Sequence, residues 1–375
     1  MSEDWKNKFI NKVICGDALT ELKKLPDESV DCVVTSPPYW ALRDYGIKEL
    51  IWDEDLNCEH EWGDNIIKRQ SSGSNGLSPE YNENRKFSSN SNICIKCGAW
   101  RGSLGLEPTF ELYIKHLCDV FDEVKRVLKK SGTCWVNIGD TYYTKSGSGF
   151  INDNLNPKTS EEVSKTTGIN KANEIRGRGL LSSKSLCNIP ARFSIEMQNR
   201  GWILRNDLIW YKRSCMPSSV KDRFTVDYEH IYFFVKNKIY YFRTQYEAHK
   251  RDWSNTGGNL AGSGIHKKND GFKEVYGCKL NPAGRNMRCV WDITTKPYKE
   301  SHFATFPEEL PRRCIKAGCP LDGVVLDPFA GSGTTLKVAR DLGRDYIGIE
   351  LKPEYSKLIA KRLRLNEQLK SWVIK

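Results

Sequence analysis

Ser36-Pro37-Pro38-Tyr39, followed by Trp40, is a stretch whose residue types could hold a small polar substrate. Two consecutive prolines lock φ and remove two backbone donors, so the bend that carries these residues is rigid. The Ser36 hydroxyl and the Pro37 carbonyl are then two fixed acceptors, beside the flat faces of Tyr39 and Trp40. Such a site suits a planar amine whose two N–H bonds are accepted while its ring is stacked. A proline turn with an aromatic anchor is the plain alternative.

A second set lies near the other end, in Asp327-Pro328-Phe329-Ala330-Gly331-Ser332-Gly333-Thr334-Thr335. Glycines allow a ligand close to the backbone, and a helix starting here offers unpaired N–H groups. A phosphate loop needs Lys directly after its last glycine, and Thr334 stands there. Asp327 would also repel phosphate. Glu350 closes the following apolar run, where a carboxylate can accept two bonds from ribose hydroxyls. The two acids favour a non-phosphorylated nucleoside carrying positive charge, which describes S-adenosylmethionine. An ordinary turn with exposed acids is the alternative. The third set is Cys58-Glu59-His60 with Cys94-Ile95-Lys96-Cys97. Its spacing suits a structural Zn²⁺ held by Cys58, His60, Cys94 and Cys97, with no open position left for catalysis.

The elements that must position these residues read as α/β. Short apolar runs at Lys12–Cys15, Ser29–Thr35, Thr133–Ile138, Gly323–Leu326 and Tyr346–Ile349 alternate with helical patterns. The helices are expected at Ala18–Leu25, Glu107–Lys130, Ile189–Arg200, Pro307–Ala317, from the glycine turn to Leu342, and from Pro353. This alternation predicts a mainly parallel sheet. Trp202–Tyr211 and His230–Val235 are further strands, with Ile239–Phe242 completing a hairpin. Polar stretches at 64–93 and 144–185 read as loops, and 243–290 as irregular.

Composition narrows the classes. Hydrophobic residues make up 39% of the chain, enough for a core. No apolar run reaches the ~18 residues that span a bilayer. The N-terminus lacks the apolar centre of a secretory signal, so a cytoplasmic location with reduced thiols is expected. The net charge of +11 favours a polyanionic partner, and residues 201–300 hold 18 Lys/Arg against 10 Asp/Glu. Lys212, Arg213, Lys221, Arg223, Lys250, Arg251, Lys267 and Lys268 belong to this stretch.

In TSPPYW (35–40) followed by DPFAGSGTT (327–335), the chain resembles the β-class amino-group DNA methyltransferases. The likeness extends through ICGDAL (14–19), GAWRGSLGLEPT (98–109), NIGDTYY (137–143), GWILRNDLIWYK (201–212), HFATFPEEL (302–310) and IGIELKPEY (347–355). It implies a Rossmann-like S-adenosylmethionine-dependent methyltransferase fold, mostly parallel, with the motif order circularly permuted. Ser36, Pro37, Pro38 and Tyr39 match the catalytic motif. Asp327, Phe329, Gly331, Gly333 and Thr334 match the cofactor loop, and Glu350 the ribose-binding acid. Asp17 matches the residue that binds the cofactor adenine, and Phe306 and Pro307 the wall of its methionine end. Double-stranded DNA is the implied partner, its target base flipped from the duplex. A separate restriction endonuclease and a homodimer are further candidate partners.

The implied division is a catalytic half at 1–242, a target-recognition region at 243–300 and a cofactor-binding half at 301–375. The catalytic half carries a zinc-clipped insertion at 58–97 and the loop at 144–185. Ser at position 36 favours cytosine N4 as the acceptor, with adenine N6 the alternative, where Asp is frequent. Two other readings are an RNA or protein amino-methyltransferase, whose motifs usually come in the opposite order, and an inactive zinc-bearing DNA-binding protein. No cysteine follows Pro as the nucleophile of cytosine-C5 enzymes does.

Overall fold

The computed structural model describes residues 4–42, 49–64, 90–143, 181–248, 283–294 and 306–363. Lys250, Arg251, Lys267, Lys268 and most of the two polar loops lie outside them.

The chain opens with helix α1 (Asp4–Phe9), strand β1 (Lys12–Cys15) and helix α2 (Ala18–Leu22). Strand β2 (Val30–Thr35) is buried at every position, as a strand covered on both faces must be. Four short strands follow: β3 (Leu50–Trp52), β4 (Trp62–Asp64), β5 (Asn90–Cys94) and β6 (Trp100–Gly102). Helix α3 (Phe110–Val127) then leads into β7 (Leu128–Ile138). Thr109 caps α3 by accepting from the Leu112 N–H at 3.3 Å. Next come α4 (Ile189–Asn199), β8 (Ile203–Tyr211), β9 (Tyr228–Val235), β10 (Tyr246–Glu247), β11 (Arg285–Asn286) and β12 (Val290–Asp292). The chain ends in α5 (Glu309–Gly318), β13 (Val324–Asp327), α6 (Thr334–Asp341), β14 (Asp345–Glu350) and α7 (Pro353–Arg362).

Eight strands form one sheet in the order β1-β14-β13-β2-β7-β9-β8-β12. The first five run parallel, and β9 is antiparallel to both its neighbours. The last β strand therefore completes the sheet beside the first, which is how a permuted chain order still builds one α/β domain. Helices α2, α3 and α4 pack on one face around Leu22, Phe121, Phe193 and Met197. Helices α5, α6 and α7 cover the other around Ile315, Leu336 and Ile359. On that second face Trp135 and Phe233 stack across β7 and β9, with ring centroids 3.9 Å apart. A separate antiparallel sheet, β3-β6-β5-β4, is inserted in the chain between β2 and α3.

Three details differ from the sequence reading. Helix α3 yields to β7 at Leu128, where the cap residue turns extended. Ile239–Phe242 adds no strand: Tyr240 meets the Phe233 ring edge-on and Phe242 stacks on it, while the Tyr241 N–H donates to the Ser131 carbonyl. Val290–Asp292, read as part of an irregular region and its edge, pairs in parallel with β8.

Candidate active site

Strand register brings the chemistry together. Cys15 pairs with Glu350, Asp327 with Gly348, and Leu326 with Val33. The carboxyl ends of β1, β14, β13 and β2 thus lie side by side, where open α/β sheets bind ligands. They carry Asp17, Glu350, Asp327 and Ser36 in that order. A cavity of about 370 Å³ opens there, and Asp17, Ser36, Pro37, Pro38, Tyr39, Phe306, Phe329, Gly331 and Glu350 line it.

Glu350 lines this cavity together with two other acids, Asp17 and Glu229. Its Oε2 accepts from the Gly331 N–H at 2.8 Å and its Oε1 from the Lys352 N–H at 2.9 Å. Each oxygen keeps a free lone pair for a ligand hydroxyl. Burial outweighs these bonds and raises its pKa to about 7, with the nearby charge of Asp327 adding to the rise. An ionised Glu350 is therefore under-compensated in the protein alone, which suits a ligand that brings hydroxyl donors and positive charge. Asp17 caps α2, accepting from the Thr20 N–H at 2.8 Å, and its residue lines the neighbouring wall.

Asp327, Pro307, Gly333 and Thr334 stand behind the lining. Asp327 is buried and ties the two motifs together: its Oδ1 accepts from Thr35 Oγ1 at 2.6 Å and from the Phe329 N–H at 3.1 Å. Burial raises its pKa to about 6. Gly333 adopts φ +75° before α6, and a Cβ there would sit 2.7 Å from Ile359 Cγ2. Only glycine takes that position without strain. Arg362 braces the loop from α7, donating to the Ser332 carbonyl at 3.2 Å, to Thr334 Oγ1 at 3.0 Å and to Glu308 at 3.1 Å.

The Ser36–Tyr39 turn has its own frame. Tyr113 donates to the Pro38 carbonyl at 2.7 Å, and Trp40 Nε1 to the Glu107 carbonyl at 3.1 Å. Gly139 packs against the Tyr39 ring so closely that a Cβ would lie 2.6 Å from its Cε2. Three further cavity residues, Asn137, Trp210 and Glu229, were not singled out by the sequence, and Lys212 was named there only as part of a basic stretch. Glu229 accepts from the Tyr39 hydroxyl at 2.7 Å and from Asn137 Nδ2 at 2.9 Å, and it pairs with Lys212. Asn137, Trp210 and Lys212 fall inside matched segments, which was the available signal. Glu229 had none, because only the antiparallel course of β9 brings its first residues to this edge.

Cys58, His60, Cys94 and Cys97 also meet, their ligand atoms all within 4.8 Å of one another. Cys58 and Cys94 Sγ are 3.9 Å apart, and Cys97 Sγ is 3.4 Å from His60 Nδ1. Gly98 turns the knuckle at φ +80°. Burial opposes a thiolate at Cys94, but the N–H groups of Cys97 and Lys96 and the His60 ring overcome it and lower its pKa to about 5. Three sulfurs and one imidazole at this spacing fit a tetrahedral zinc site.

A family model described as DNA methylase, of the N6/N4 methyltransferase type, matches residues 30–362. The chain belongs to this N6/N4 DNA methylase family. This methylase is 36% identical to the type II methyltransferase M.XycI of Xanthomonas campestris pv. cyanopsidis, over 93% of this chain and 86% of that one. It is 34% identical to M.SmaI of Serratia marcescens, over 94% and 90%. In fold it is similar to the solved PvuII DNA methyltransferase, described as cytosine-N4-specific, with a TM-score of 0.52, 18% identity and coverage of 96% and 88%. The methylase has the Rossmann-like α/β fold of these enzymes. Among the described residues no helix is long and apolar enough to cross a membrane.

Proposed function

We propose that this DNA methylase transfers a methyl group from S-adenosylmethionine to the N4 amine of a cytosine flipped out of double-stranded DNA. The observation that carries this reading is that one cavity is lined by both Ser36 and Pro37 and by Gly331 and Glu350. Glu350 would hold the ribose, Asp17 the adenine amine, and Phe329 and Phe306 the flanks of the cofactor. Bound there, the cofactor supplies an electrophilic methyl carbon on a cationic sulfur. Asp327 keeps the two turns in register through Thr35, and Gly333 and Thr334 start the helix beneath them. The Pro307 carbonyl accepts from the Leu310 N–H at 3.0 Å, which ties Phe306 to the start of α5.

The amine lone pair of a nucleobase is delocalised into its ring. The Ser36 hydroxyl and the Pro37 carbonyl can accept both amine N–H bonds, which favours a tetrahedral nitrogen and localises the lone pair. Stacking on Tyr39 offsets part of the unstacking cost of a few kcal/mol. Positioning two reactants in one cavity supplies much of the rate. Ser36 supports cytosine N4 over adenine N6, because an uncharged hydroxyl stands where adenine-N6 enzymes frequently carry Asp. Residues 243–300 are the proposed target-recognition region, and their basic side chains would supply phosphate contacts that carry affinity without sequence information. A Zn²⁺ on Cys58, His60, Cys94 and Cys97 would be structural. The setting is a cytoplasmic restriction-modification pair with a separate endonuclease.

The test is methyl transfer from labelled cofactor to unmethylated duplex DNA, with nucleoside mass spectrometry of the product and Ser36→Ala and Asp327→Ala as controls. N4-methylcytosine, lost in both variants, is the expected result. N6-methyladenine would overturn the base assignment, and transfer to RNA or protein with none to DNA would overturn the substrate.

A further inference from the structure

Methylation of an amine leaves the nitrogen with one proton too many and a positive charge. That proton needs an acceptor within reach of the amine. Ser36 is a poor final base, since its hydroxyl must give up its own proton to take another. The hydroxyl is not isolated, however. Ser36 Oγ donates to the Tyr39 hydroxyl at 3.3 Å, and the Tyr39 hydroxyl donates to Glu229 Oε2 at 2.7 Å. Both bonds already point from the catalytic serine toward the carboxylate. The first is long for an O–H···O bond, as catalytic bonds often are before substrate is bound.

We propose that Ser36, Tyr39 and Glu229 form a proton relay that carries the surplus amine proton from the methylated base to the Glu229 carboxylate. This rests on the amino-methyltransferase reading given above. The balance is simple. The base N–H bond breaks as a new O–H bond forms on Ser36. The original Ser36 proton passes to the Tyr39 oxygen, and the original Tyr39 proton passes to Glu229. One positive charge on the base and one negative charge on Glu229 are both removed, and the two hydroxyls end as they began. The resulting carboxylic acid faces the cavity and returns its proton to water when the product leaves.

The surroundings suit the assignment. Lys212 pairs with one oxygen of Glu229, and Asn137 Nδ2 donates to the other at 2.9 Å, so both oxygens are fixed in place and the carboxylate is aimed. Lys212 itself lies over the Trp210 ring, 4.6 Å from its centroid. Asn137 is fixed in turn by donating to the His230 carbonyl at 3.1 Å. Burial first, and then the Glu229 charge, hold the Tyr39 pKa well above its ordinary value. Tyr39 therefore passes a proton only by gaining one at the same moment, never as a tyrosinate. In this scheme Tyr39 both stacks on the base and conducts, and Glu229 acts through it.

Single-turnover methyl transfer on duplex DNA, with the full chain, separates this from a purely positional role. Glu229→Gln keeps the shape and removes the acceptor; Tyr39→Phe keeps the ring and removes the conductor. Each is expected to slow transfer by ~100-fold or more, within the usual range for general acid–base groups. Cofactor and DNA affinity should stay near wild type, and the double variant should be no slower than the slower single one. The deciding readout is buffer-base dependence at constant pH and ionic strength. The Glu229→Gln rate should climb with imidazole concentration, because an external base replaces the lost acceptor, while the wild-type rate stays flat. A Glu229→Gln enzyme at wild-type rate overturns the relay, and so does a slow one that imidazole cannot help. A wild-type chain that methylates no DNA amine would instead overturn the function on which the relay is built.

Discussion

The pKa of Glu350 makes cofactor affinity a function of pH, and its size follows from the structure. In the protein alone this carboxylate titrates at about 7, against an ordinary 4.5, because burial and the nearby charge of Asp327 outweigh the N–H bonds of Lys352 and Gly331 and the charge of Lys352. Two ribose hydroxyls donating to the ionised form would return it toward the ordinary value. The sign then follows. Below pH 7 the empty site is protonated and the ligand must expel that proton, so affinity rises with pH until about 7 and is flat beyond. Between pH 5.5 and 8 the change is about 1.5 pH units, or about 2 kcal/mol and roughly 30-fold in Kd. Calorimetric titration with methylthioadenosine is the clean assay, since it keeps the ribose and has no titrating amine. Repeating it in two buffers of different ionisation enthalpy counts the protons released. Close to one should leave at pH 5.5 and almost none at pH 8. Glu350→Gln should bind weakly with no pH dependence in this range. A flat Kd for the wild-type chain, or no proton release at pH 5.5, would refute the role given to Glu350. The same shift acts on folding: the empty protein should lose stability as pH rises from 4.5 to 7, since the folded state holds the proton more tightly than the unfolded one.

Three further outcomes are expected. Gly139→Ala would drive a methyl group to 2.6 Å from the Tyr39 ring. The methyl-transfer rate should fall ~10-fold or more while cofactor affinity holds, checked by kinetics and calorimetry, because misplacing a positioning group by about 1 Å can cost 10²-fold. Arg362→Ala removes the brace on Ser332, Thr334 and Glu308. Charged hydrogen bonds are worth about 1.5–3 kcal/mol each, so cofactor Kd should weaken ~10-fold in a titration. Finally, the four-ligand cluster should carry one zinc per chain by elemental analysis, and Cys97→Ser should lose it. Chelation should slow methyl transfer more than it weakens cofactor binding. The physical link is short: Trp52 and Trp100 stack on the buried His116, which meets Glu107, and the Glu107 carbonyl holds Trp40, the neighbour of Tyr39.

The legible part of this molecule was local. Ser36-Pro37-Pro38-Tyr39 and the turn from Asp327 to Thr335 declare themselves because prolines and glycines restrict the backbone within a few residues. Acids at the ends of apolar runs likewise mark the carboxyl edges of strands. The four zinc-type ligands could be paired by spacing alone. Their meeting within 4.8 Å, across a segment of more than thirty residues, needed the small β3–β6 sheet. Tertiary structure alone decided which acid faces the ligand. Asp327 and Glu350 look equivalent in sequence, yet Asp327 turns inward to Thr35 while Glu350 lines the cavity. It alone enlisted Glu229, a residue with no motif around it. Parallel strands bring their carboxyl ends to the site, but β9 runs the other way and brings its start. Sequence by itself thus set the chemistry of each turn through short-range backbone constraint. The partners of that chemistry were fixed by strand register between residues as many as 335 positions apart, which no local pattern encodes.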